Sequence, residues 1–298
     1  ETHHIALTRK LLIENMSALK RQSLERIYME FLITEVHQEL LDTFNTSPAM
    51  PMPLLLKERL QWLDAHFNLS NTPHNFTQLV EAAHAQGISV MALDSAACSQ
   101  LEIGNLSPPG AAQTLSDQLD RVTMFNFFAH KKIAFDQRKY GSNRWLALVG
   151  LAHCNTFQGI PGLANLSNAT SIRVIDRLAT LPMRTTRDSG LIIPSPWRTH
   201  QLNARCELLV HVPSVGNSFS VTTRIHSPNM FTLTYGPPGN VFVHYLNAHH
   251  QRFDVPLLMD GNQPYVDHSL FGSVSNRRFN SLEELVDALT DELHMTEV

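Results

Sequence analysis

Cysteine is scarce in this chain, which has only three, at Cys98, Cys154 and Cys206. They are far apart, unlike the short Cys-x-x-Cys pairs of zinc sites, and one thiol would remain if two of them formed a disulfide. A disulfide-stapled secreted scaffold is therefore excluded, and a reducing, cytosolic-type setting is expected.

The chain also lacks long apolar runs and an excess of positive charge. No apolar run approaches the roughly 20 residues that a membrane-spanning helix needs. Lys and Arg number 23 against 27 Asp and Glu, which gives a formal net charge of -4. Without a basic excess, nucleic acid and anionic lipid are not expected as general electrostatic partners. There are no internal repeats.

What is present is an ordinary globular composition. Of the 298 residues, 43% are hydrophobic and 17% are charged, which excludes a disordered chain and allows one large domain or two ordinary ones. The chain begins at Glu1 rather than at a methionine, so we interpret it as a fragment or a processed chain.

Helical and strand patterns alternate in the first half of the chain. Apolar residues at helical spacing predict helices at 5–21, 34–44, 57–67, 75–87 and 115–140. Short, nearly continuous apolar runs predict buried strands at 26–33, 88–94 and 144–153. Strands that alternate with helices are typical of a mostly parallel sheet with flanking helices, the α/β class.

Polar residues stand at or near the ends of these three predicted strands. They are Glu30, Asp94 and His153. Because ligands bind at the carboxyl ends of the strands in such sheets, we expect a site there. The full set of candidates for its chemistry is Glu1, His4, Glu30, His37, Asp94, Arg121, His130 and His153.

Two chemistries are open for these candidates. A glutamate beside a histidine orients the imidazole and raises its basicity, which predicts a general base that takes a proton from water. The same side chains, His4, Glu30 and His153 above all, are also suited to a divalent metal. On a strand, Cys154 and His153 would point to opposite faces, so a thiol nucleophile paired with His153 is not expected.

Three segments of the first half resemble the erythromycin esterase, Tiki/TraB and ChaN superfamily. They are ETHH at 1–4, IYME at 27–30 and GLAHCNTFQGIPGL at 150–163, and the last is similar to stretches in dermonecrotic-type bacterial toxins. The resemblance implies that Glu1, His4, Glu30 and His153 form the site, with Arg121 as an anion ligand. The superfamily includes hydrolases, metal-dependent proteases and a haem binder, so the resemblance does not fix the reaction.

The pattern changes after the segment 185–197, which we take as the domain boundary. Period-2 runs at 218–225, 230–235 and 240–246 predict short antiparallel strands, and 280–293 predicts a closing helix with a capping box from Ser281 to Glu284. We therefore expect an α/β domain at 1–185 and a small α+β domain with a central antiparallel sheet at 194–298.

Two cationic side chains are expected on one polar face of this second sheet. Arg224 and His244 can meet there, and a guanidinium with a nearby imidazole binds phosphate well. The order of Trp197, a predicted helix NARCELL at 203–209, the strand of Arg224, the strand VFVHYL and the final helix resembles a Src-homology-2 domain. The resemblance implies phosphotyrosine binding by Arg224 and His244, with Arg205 as a further phosphate ligand.

The sequence thus predicts a bacterial effector or toxin-like protein that binds phosphotyrosine proteins and carries a His/Glu hydrolase-like domain. The alternatives are a non-catalytic phosphotyrosine adaptor and a metal- or haem-binding protein. As an effector, it would work in the cytoplasm of a host cell. Expected partners are phosphotyrosine peptides or proteins and a small-molecule or peptide substrate. A divalent metal is the only cofactor suggested, and enzyme activity stays open between an esterase and a metal-dependent protease.

Overall fold

A computed structural model describes residues 3, 5–99, 115–141, 144–194, 201–214, 225, 227–236 and 240–298. The chain divides into two compact units, Glu1–Ser171 and Ile172–Val298. This division lies before the boundary expected at 185–197, so the strand that begins at Ile172 belongs to the second unit. Within the described residues, no helix is long and apolar enough to cross a membrane.

A three-stranded parallel sheet forms the centre of the first unit. Its strands are β1 (Arg26–Ile33), β2 (Ser89–Asp94) and β3 (Trp145–Leu148), in the order β2-β1-β3. The side chains of Ile27 and Tyr28, which are successive residues of β1, are both fully buried. Because successive side chains of a strand point to opposite faces, both faces of the sheet are covered by protein. The predicted parallel sheet is confirmed.

Helices surround this sheet. They are α1 (Leu7–Glu14), α2 (Met16–Arg21), α3 (Thr34–Asn45), α4 (Leu54–His66), α5 (Phe76–Ala85), α6 (Leu115–Tyr140), α7 (Leu151–Cys154) and α8 (Leu163–Ser167). Each predicted helix is present, although the first is interrupted at Asn15. The main core packs the apolar sides of α1 to α5 against β1 and β2. A second cluster packs α6 against the sheet through Phe125, Ala129 and Ile133.

The third predicted strand is shorter than expected. β3 ends at Leu148, and His153 lies on the one-turn helix α7, not on a strand. The backbone N–H of Gly150 donates to the Glu30 carboxylate, which takes it out of strand pairing. The sequence could not show this diversion, because the partner of Gly150 is a side chain from a distant strand.

The second unit is mostly β-structure. Its strands are β4 (Ile172–Leu178), β5 (Arg184–Arg187), β6 (Leu191–Pro194), β7 (Gln201–Ala204), β8 (Leu208–Ser214), β9 (Met230–Tyr235), β10 (Val241–Leu246), β11 (Arg252–Pro256), β12 (Leu258–Asp260), β13 (Gln263–Tyr265) and β14 (Thr296–Glu297). A 3-10 helix (Ser269–Val274) and the helix α9 (Leu282–Asp291) complete it. Ser281 caps α9 by accepting the Glu284 N–H at 3.1 Å, as predicted.

Antiparallel pairing dominates the larger sheet of this unit. Its strand order is β11-β10-β9-β14, with β10 antiparallel to both neighbours and β14 parallel to β9. A three-stranded sheet has the order β4-β8-β5, and β6-β7 and β12-β13 are hairpin pairs. The apolar side of α9 packs over a core that includes Phe231, Val243 and Leu289. The expected fold class, a parallel α/β unit followed by a unit with an antiparallel sheet, is confirmed.

The helix predicted at NARCELL is wrong. This segment holds the end of β7, a short link and the start of β8. The Cys206 N–H donates to Asp188 at 2.8 Å, so the link is bonded to the loop between β5 and β6 and not to a helical turn. β8 is rich in valine, which favours strands. The expected strand at 218–225 lies outside the described residues apart from Ile225.

Candidate functional site

Glu30 is the centre of the candidate site. The pairing of β1 with β2 shifts register between Met29 and Ile33, and this irregularity re-aims the strand at the point where Glu30 lies. The Glu30 carboxylate is almost completely buried, at 4% exposure. One oxygen, Oε2, accepts the Gly150 N–H, and the other, Oε1, lies 3.4 Å from His153 Nε2. A buried carboxylate is thus held between a backbone donor and an imidazole.

Asn126 of α6 fixes the orientation of the His153 ring. Its Nδ2 donates to the Pro161 carbonyl at 2.9 Å, so its Oδ1 faces His153 and lies 2.8 Å from Nδ1. An amide oxygen only accepts, so Nδ1 of His153 carries a proton. Nε2 is then the nitrogen that gains or loses a proton, and it faces the Glu30 carboxylate.

Arg121 and Asp94 extend the site along the same sheet edge. Arg121, one and a half helical turns before Asn126 on α6, places Nη2 3.3 Å from Asp94 Oδ2 and 3.7 Å from Glu30 Oε1. Its Nη1 donates to the Cys98 carbonyl at 3.1 Å. Glu30, Asp94, Arg121 and His153 are therefore brought together at the carboxyl ends of the strands, as the sequence predicts for this sheet class.

The pKa of Glu30 is held below its ordinary value. Burial alone would raise it, because a charged carboxylate loses its hydration. Burial is the largest single cause, but the charge and hydrogen bond of His153 and the smaller effects of the His3 and Arg121 charges together outweigh it. Glu30 is therefore a stable negative charge in the folded protein.

Asp94 shows the opposite shift. Burial raises its pKa to about 6, although the charge of Arg121 and the hydrogen bond from the Ser95 N–H both lower it. The negative charge of Glu30 adds to the increase. The two carboxylates of the site thus differ in protonation over the mildly acidic range, which is the usual sign of groups with separate acid and base roles.

His3 lies at the site, where the sequence had predicted the adjacent residue His4. The His3 ring packs on Phe31 with centroids 4.5 Å apart, and a Cβ built on Gly150 would lie only 2.9 Å from His3 Nε2 and 3.3 Å from Glu30 Oε2. Gly150 therefore allows this imidazole to approach the Glu30 carboxylate. The predicted site residues Glu1 and His4 lie outside the described residues.

Two other predicted candidates, His37 and His130, serve local structure, and so does Cys154, for which no catalytic role was expected. His37 Nδ1 accepts the Ile33 N–H at 2.8 Å, and burial lowers the pKa of this imidazole. His130 Nδ1 lies 3.1 Å from the Ser167 hydroxyl, which ties α6 to α8. Cys154 is on α7 with His153, so the expectation that a strand would separate the two side chains is wrong. The Cys154 thiol instead lies 3.7 Å from the Gly150 carbonyl, back along its own turn.

A metal centre remains a prediction. Across the part of the chain that the structure describes, no group of three His, Cys, Asp or Glu side chains is arranged to hold a metal ion. Glu30 and His153 supply two donor groups, and each is hydrogen-bonded to protein. The predicted set of His4, Glu30 and His153 depends on His4, which the described residues do not include.

The three predicted phosphate ligands of the second unit differ in what the structure shows of them. Arg224 lies outside the described residues. Arg205 is exposed in the link between β7 and β8, not on a helix as expected. His244 on β10 has both ring nitrogens engaged, with Asp254 Oδ1 at 2.7 Å and Thr234 Oγ1 at 2.6 Å. A carboxylate this close to His244 would repel a phosphate unless it moved.

The sequence reasoning missed Asn126, His3 and Gly150. The sequence does contain one indication of the role of Asn126. This residue interrupts the apolar stretch MFNFF of a predicted helix, and a buried amide there needs a hydrogen-bond partner. The adjacent pair His3 and His4 gave no basis for choosing between them. The sequence contains no such indication for Gly150, since its role comes from a contact with a distant strand.

No protein-family model matches this chain, and no curated protein matches it. Among solved structures, a toxin effector domain, RRSP of the MARTX toxin from Vibrio vulnificus CMCP6, is similar at 22% identity with a TM-score of 0.42, over 56% of this chain and 30% of that one. The type III effector HopBA1 is similar at 12% identity with a TM-score of 0.43, over 72% of this chain and 85% of that one. A structure described as bacterial protein toxins gives 21% identity and a TM-score of 0.37 over 54% of this chain and 29% of that one. This chain therefore spans less than a third of the length of two of these neighbours, and all three are bacterial toxin or effector proteins.

Proposed function

We propose that the first unit is a hydrolase in which His153, supported by the negative charge of Glu30, moves a proton during attack of water on an ester or amide. The observation that carries the proposal is the chain of contacts from the Pro161 carbonyl through Asn126 and His153 to Glu30. It fixes the ring tautomer and leaves Nε2 as the nitrogen that exchanges a proton. Such a base, oriented by a neighbouring group, is the common requirement of general-base hydrolysis.

The proposed reaction gives His153, Glu30 and Arg121 one task each. In the neutral form of the ring, His153 Nε2 takes a proton from water as the oxygen attacks the carbonyl carbon. The imidazolium that results is stabilised by the ionised Glu30 and returns the proton to the leaving group. Arg121 supplies positive charge at the same edge, where the carbonyl oxygen becomes negative. Preorganised charge of this kind typically stabilises the transition state more than any other single contribution.

A substrate panel with matched histidine variants tests the proposal. The purified chain is incubated with chromogenic esters and fluorogenic peptide amides, as wild type, His153→Gln and His130→Gln. His130 is the control because it is a half-buried histidine of the same unit that contacts Ser167 and lies on α6. We expect His153→Gln to lower kcat by about 100- to 10,000-fold, and His130→Gln to leave it unchanged.

Two results would contradict this assignment. One is turnover that survives His153→Gln. The other is equal losses in both histidine variants, which would indicate damage to the fold. Elemental analysis of the same samples, with and without prior chelation, decides between the two chemistries that the sequence left open: stoichiometric zinc or manganese would favour the metal-dependent alternative.

We also propose that the second unit binds phosphotyrosine, and that the protein acts as an effector inside a host cell. Both proposals rest on the sequence alone: the pattern of the chain predicts Arg224 and His244 on one face of a small sheet, and the order of its segments resembles Src-homology-2 domains. Binding of phosphotyrosine peptides in the micromolar range, about -8 kcal/mol, should be lost in Arg224→Ala. Equal binding of unphosphorylated peptides would remove the phosphotyrosine assignment and leave the hydrolase unit unaffected.

A further inference from the structure

An apolar stripe on the outer face of α6 has no role in the site. Its large side chains are exposed, with Met124 at 43%, Phe127 at 46% and Phe135 at 55%. Exposed charged residues fill the remaining positions of the same helical repeat, which recurs every three or four residues. We call these six residues the α6 stripe: Asp120, Met124, Phe127, Lys131, Phe135 and Arg138. At 100° per residue these six fall on one narrow face of the helix. The opposite face, with Phe125, Ala129 and Ile133, is buried in the core.

The spacing of the stripe is that of a helix-pairing seam. Apolar side chains at alternating steps of three and four residues pack into the facing helix of a two-stranded coiled coil. From Asp120 to Arg138 the seam extends over about 27 Å at 1.5 Å per residue. Three large apolar side chains on one exposed helical seam are more than scattered surface residues, and mark an interaction surface.

The charges of the stripe identify the occupant. The stripe is acidic at its first position, Asp120, and basic at its last, Arg138. Asp120 and Arg138 lie at equal distances along the helix on either side of Ala129. The same is true of Phe127 and Lys131. A two-fold axis at the level of Ala129 therefore pairs all four residues at once in an antiparallel arrangement.

We propose that two copies of this chain dimerise through the α6 stripe, with the two helices antiparallel. Asp120 of each copy then faces the partner's Arg138, and Phe127 faces the partner's Lys131, whose cation and aliphatic stem both suit an aromatic ring. Met124 packs near the partner's Phe135. A parallel pair is disfavoured because it would place Asp120, Lys131 and Arg138 each against its own copy, and like charges repel.

The interface is isologous and small. A two-fold axis repeats each contact, so a substitution in the chain acts twice. A single helix pair buries less than the roughly 1,600 Å² of a standard interface, so the dimer should be concentration-dependent, with a dissociation constant in the micromolar range.

Sedimentation equilibrium of the full chain over a range of micromolar concentrations tests the proposal. We compare wild type with Arg138→Glu, the charge exchange Asp120→Arg with Arg138→Glu, and Lys139→Glu as the control. Lys139 is an exposed cation at the same end of α6 but outside the stripe. Arg138→Glu should weaken dimerisation by about tenfold or more, because it places two carboxylates together at both ends. The charge exchange should restore the wild-type value, and Lys139→Glu should keep it.

Each other result overturns the proposal. A wild type that stays monomeric throughout would assign the stripe to a different protein or to another part of the chain. A dimer that Arg138→Glu and Lys139→Glu weaken equally, or that neither weakens, would place the contact elsewhere. Failure of the charge exchange to restore dimerisation would exclude the antiparallel arrangement. Thermal unfolding of each variant, followed by circular dichroism, separates loss of pairing from loss of fold.

Discussion

Glu30 and Asp94 are two buried carboxylates at one sheet edge whose pKa values are shifted in opposite directions. His153 lies 3.4 Å from Glu30 and keeps it ionised, whereas burial dominates at Asp94 and raises its pKa to about 6. Arg121 contacts both, but it lies nearer to Asp94, at 3.3 Å against 3.7 Å. The charge and hydrogen bond of His153 act on Glu30 and not on Asp94, so His153 contributes to the difference in protonation between the two carboxylates.

Asp94 should make the stability of the protein depend on pH in a defined window. Because its pKa is raised from 3.8 to about 6, the folded state holds this proton more tightly than the unfolded chain does. Its favourable contribution is complete below about pH 4 and is lost as the pH rises through about 6. Relative to wild type, Asp94→Asn should therefore gain stability between pH 4 and pH 7, by an amount on the order of 1–3 kcal/mol.

Urea unfolding of both proteins at several pH values measures this difference. Asp42→Asn is the matched control, since Asp42 is an exposed aspartate of the same unit that lies outside the site and the α6 stripe, and its offset from wild type should stay nearly constant. A constant offset for Asp94→Asn as well would mean that Asp94 is ionised throughout this range. A loss of stability with rising pH would mean that the ion pair with Arg121 outweighs the effect of burial.

At the scale of elements, the turn after α7 helps to position the Asn126 side chain, which orients His153. Phe157 and Ile160 bridge in an antiparallel pair, and the two residues between them, Gln158 and Gly159, have positive φ of 49° and 81°. Positive φ at both central positions is the pattern of a type I′ turn. The chain then returns so closely that Pro161 reaches the Asn126 side chain. This turn therefore connects directly to the residue that orients His153.

Gly162 is the position at which this return is most sensitive. A Cβ there would lie 2.4 to 2.5 Å from backbone atoms of Asn155, which cannot move aside as a flexible side chain would. Gly162→Ala should therefore destabilise the protein by about 1–3 kcal/mol, the usual cost of overpacking. The free energy of unfolding in urea measures it.

Gly159→Asn is the control for this substitution. A Cβ at Gly159 meets nothing within 4 Å, and asparagine tolerates the positive φ of this turn position. We expect little change in stability from Gly159→Asn. Equal effects of the two substitutions would show that the turn as a whole, and not the close approach at Gly162, is sensitive to added side chains.

The sequence predicted the parallel sheet and most helices, because burial on both faces and helical periodicity leave local patterns. It also predicted that Glu30, Asp94 and His153 lie near one edge, because parallel strands end at the same edge, although His153 reaches that edge on the helix after β3. The contacts between residues distant in sequence could not be predicted. The Gly150 N–H donates to the Glu30 side chain and not to a neighbouring strand, and the Cys206 N–H donates to Asp188 where a helix was expected. Local propensity carries no information about such partners.

At the scale of the whole molecule, the chain joins two units that each bury a core of their own. The first unit carries the Glu30 and His153 site, and the second carries Arg224 and His244, the expected phosphate ligands. If the second unit binds a phosphoprotein, the linkage raises the concentration of that protein near the first unit without any new contact. The proposed hydrolase activity of the first unit and the proposed binding by the second unit would then act on one target.

The most direct test of the central claim is a double-substitution cycle on Glu30 and His153. The value of kcat is measured for wild type, Glu30→Gln, His153→Gln and the double variant, on the substrate that the wild type hydrolyses fastest. If Glu30 acts by supporting the proton transfer of His153, the double variant should be no slower than the slower single variant, because residues that act as a unit are not additive. Losses that multiply in the double variant would show that the two act independently, and would contradict the proposed proton-transfer pair.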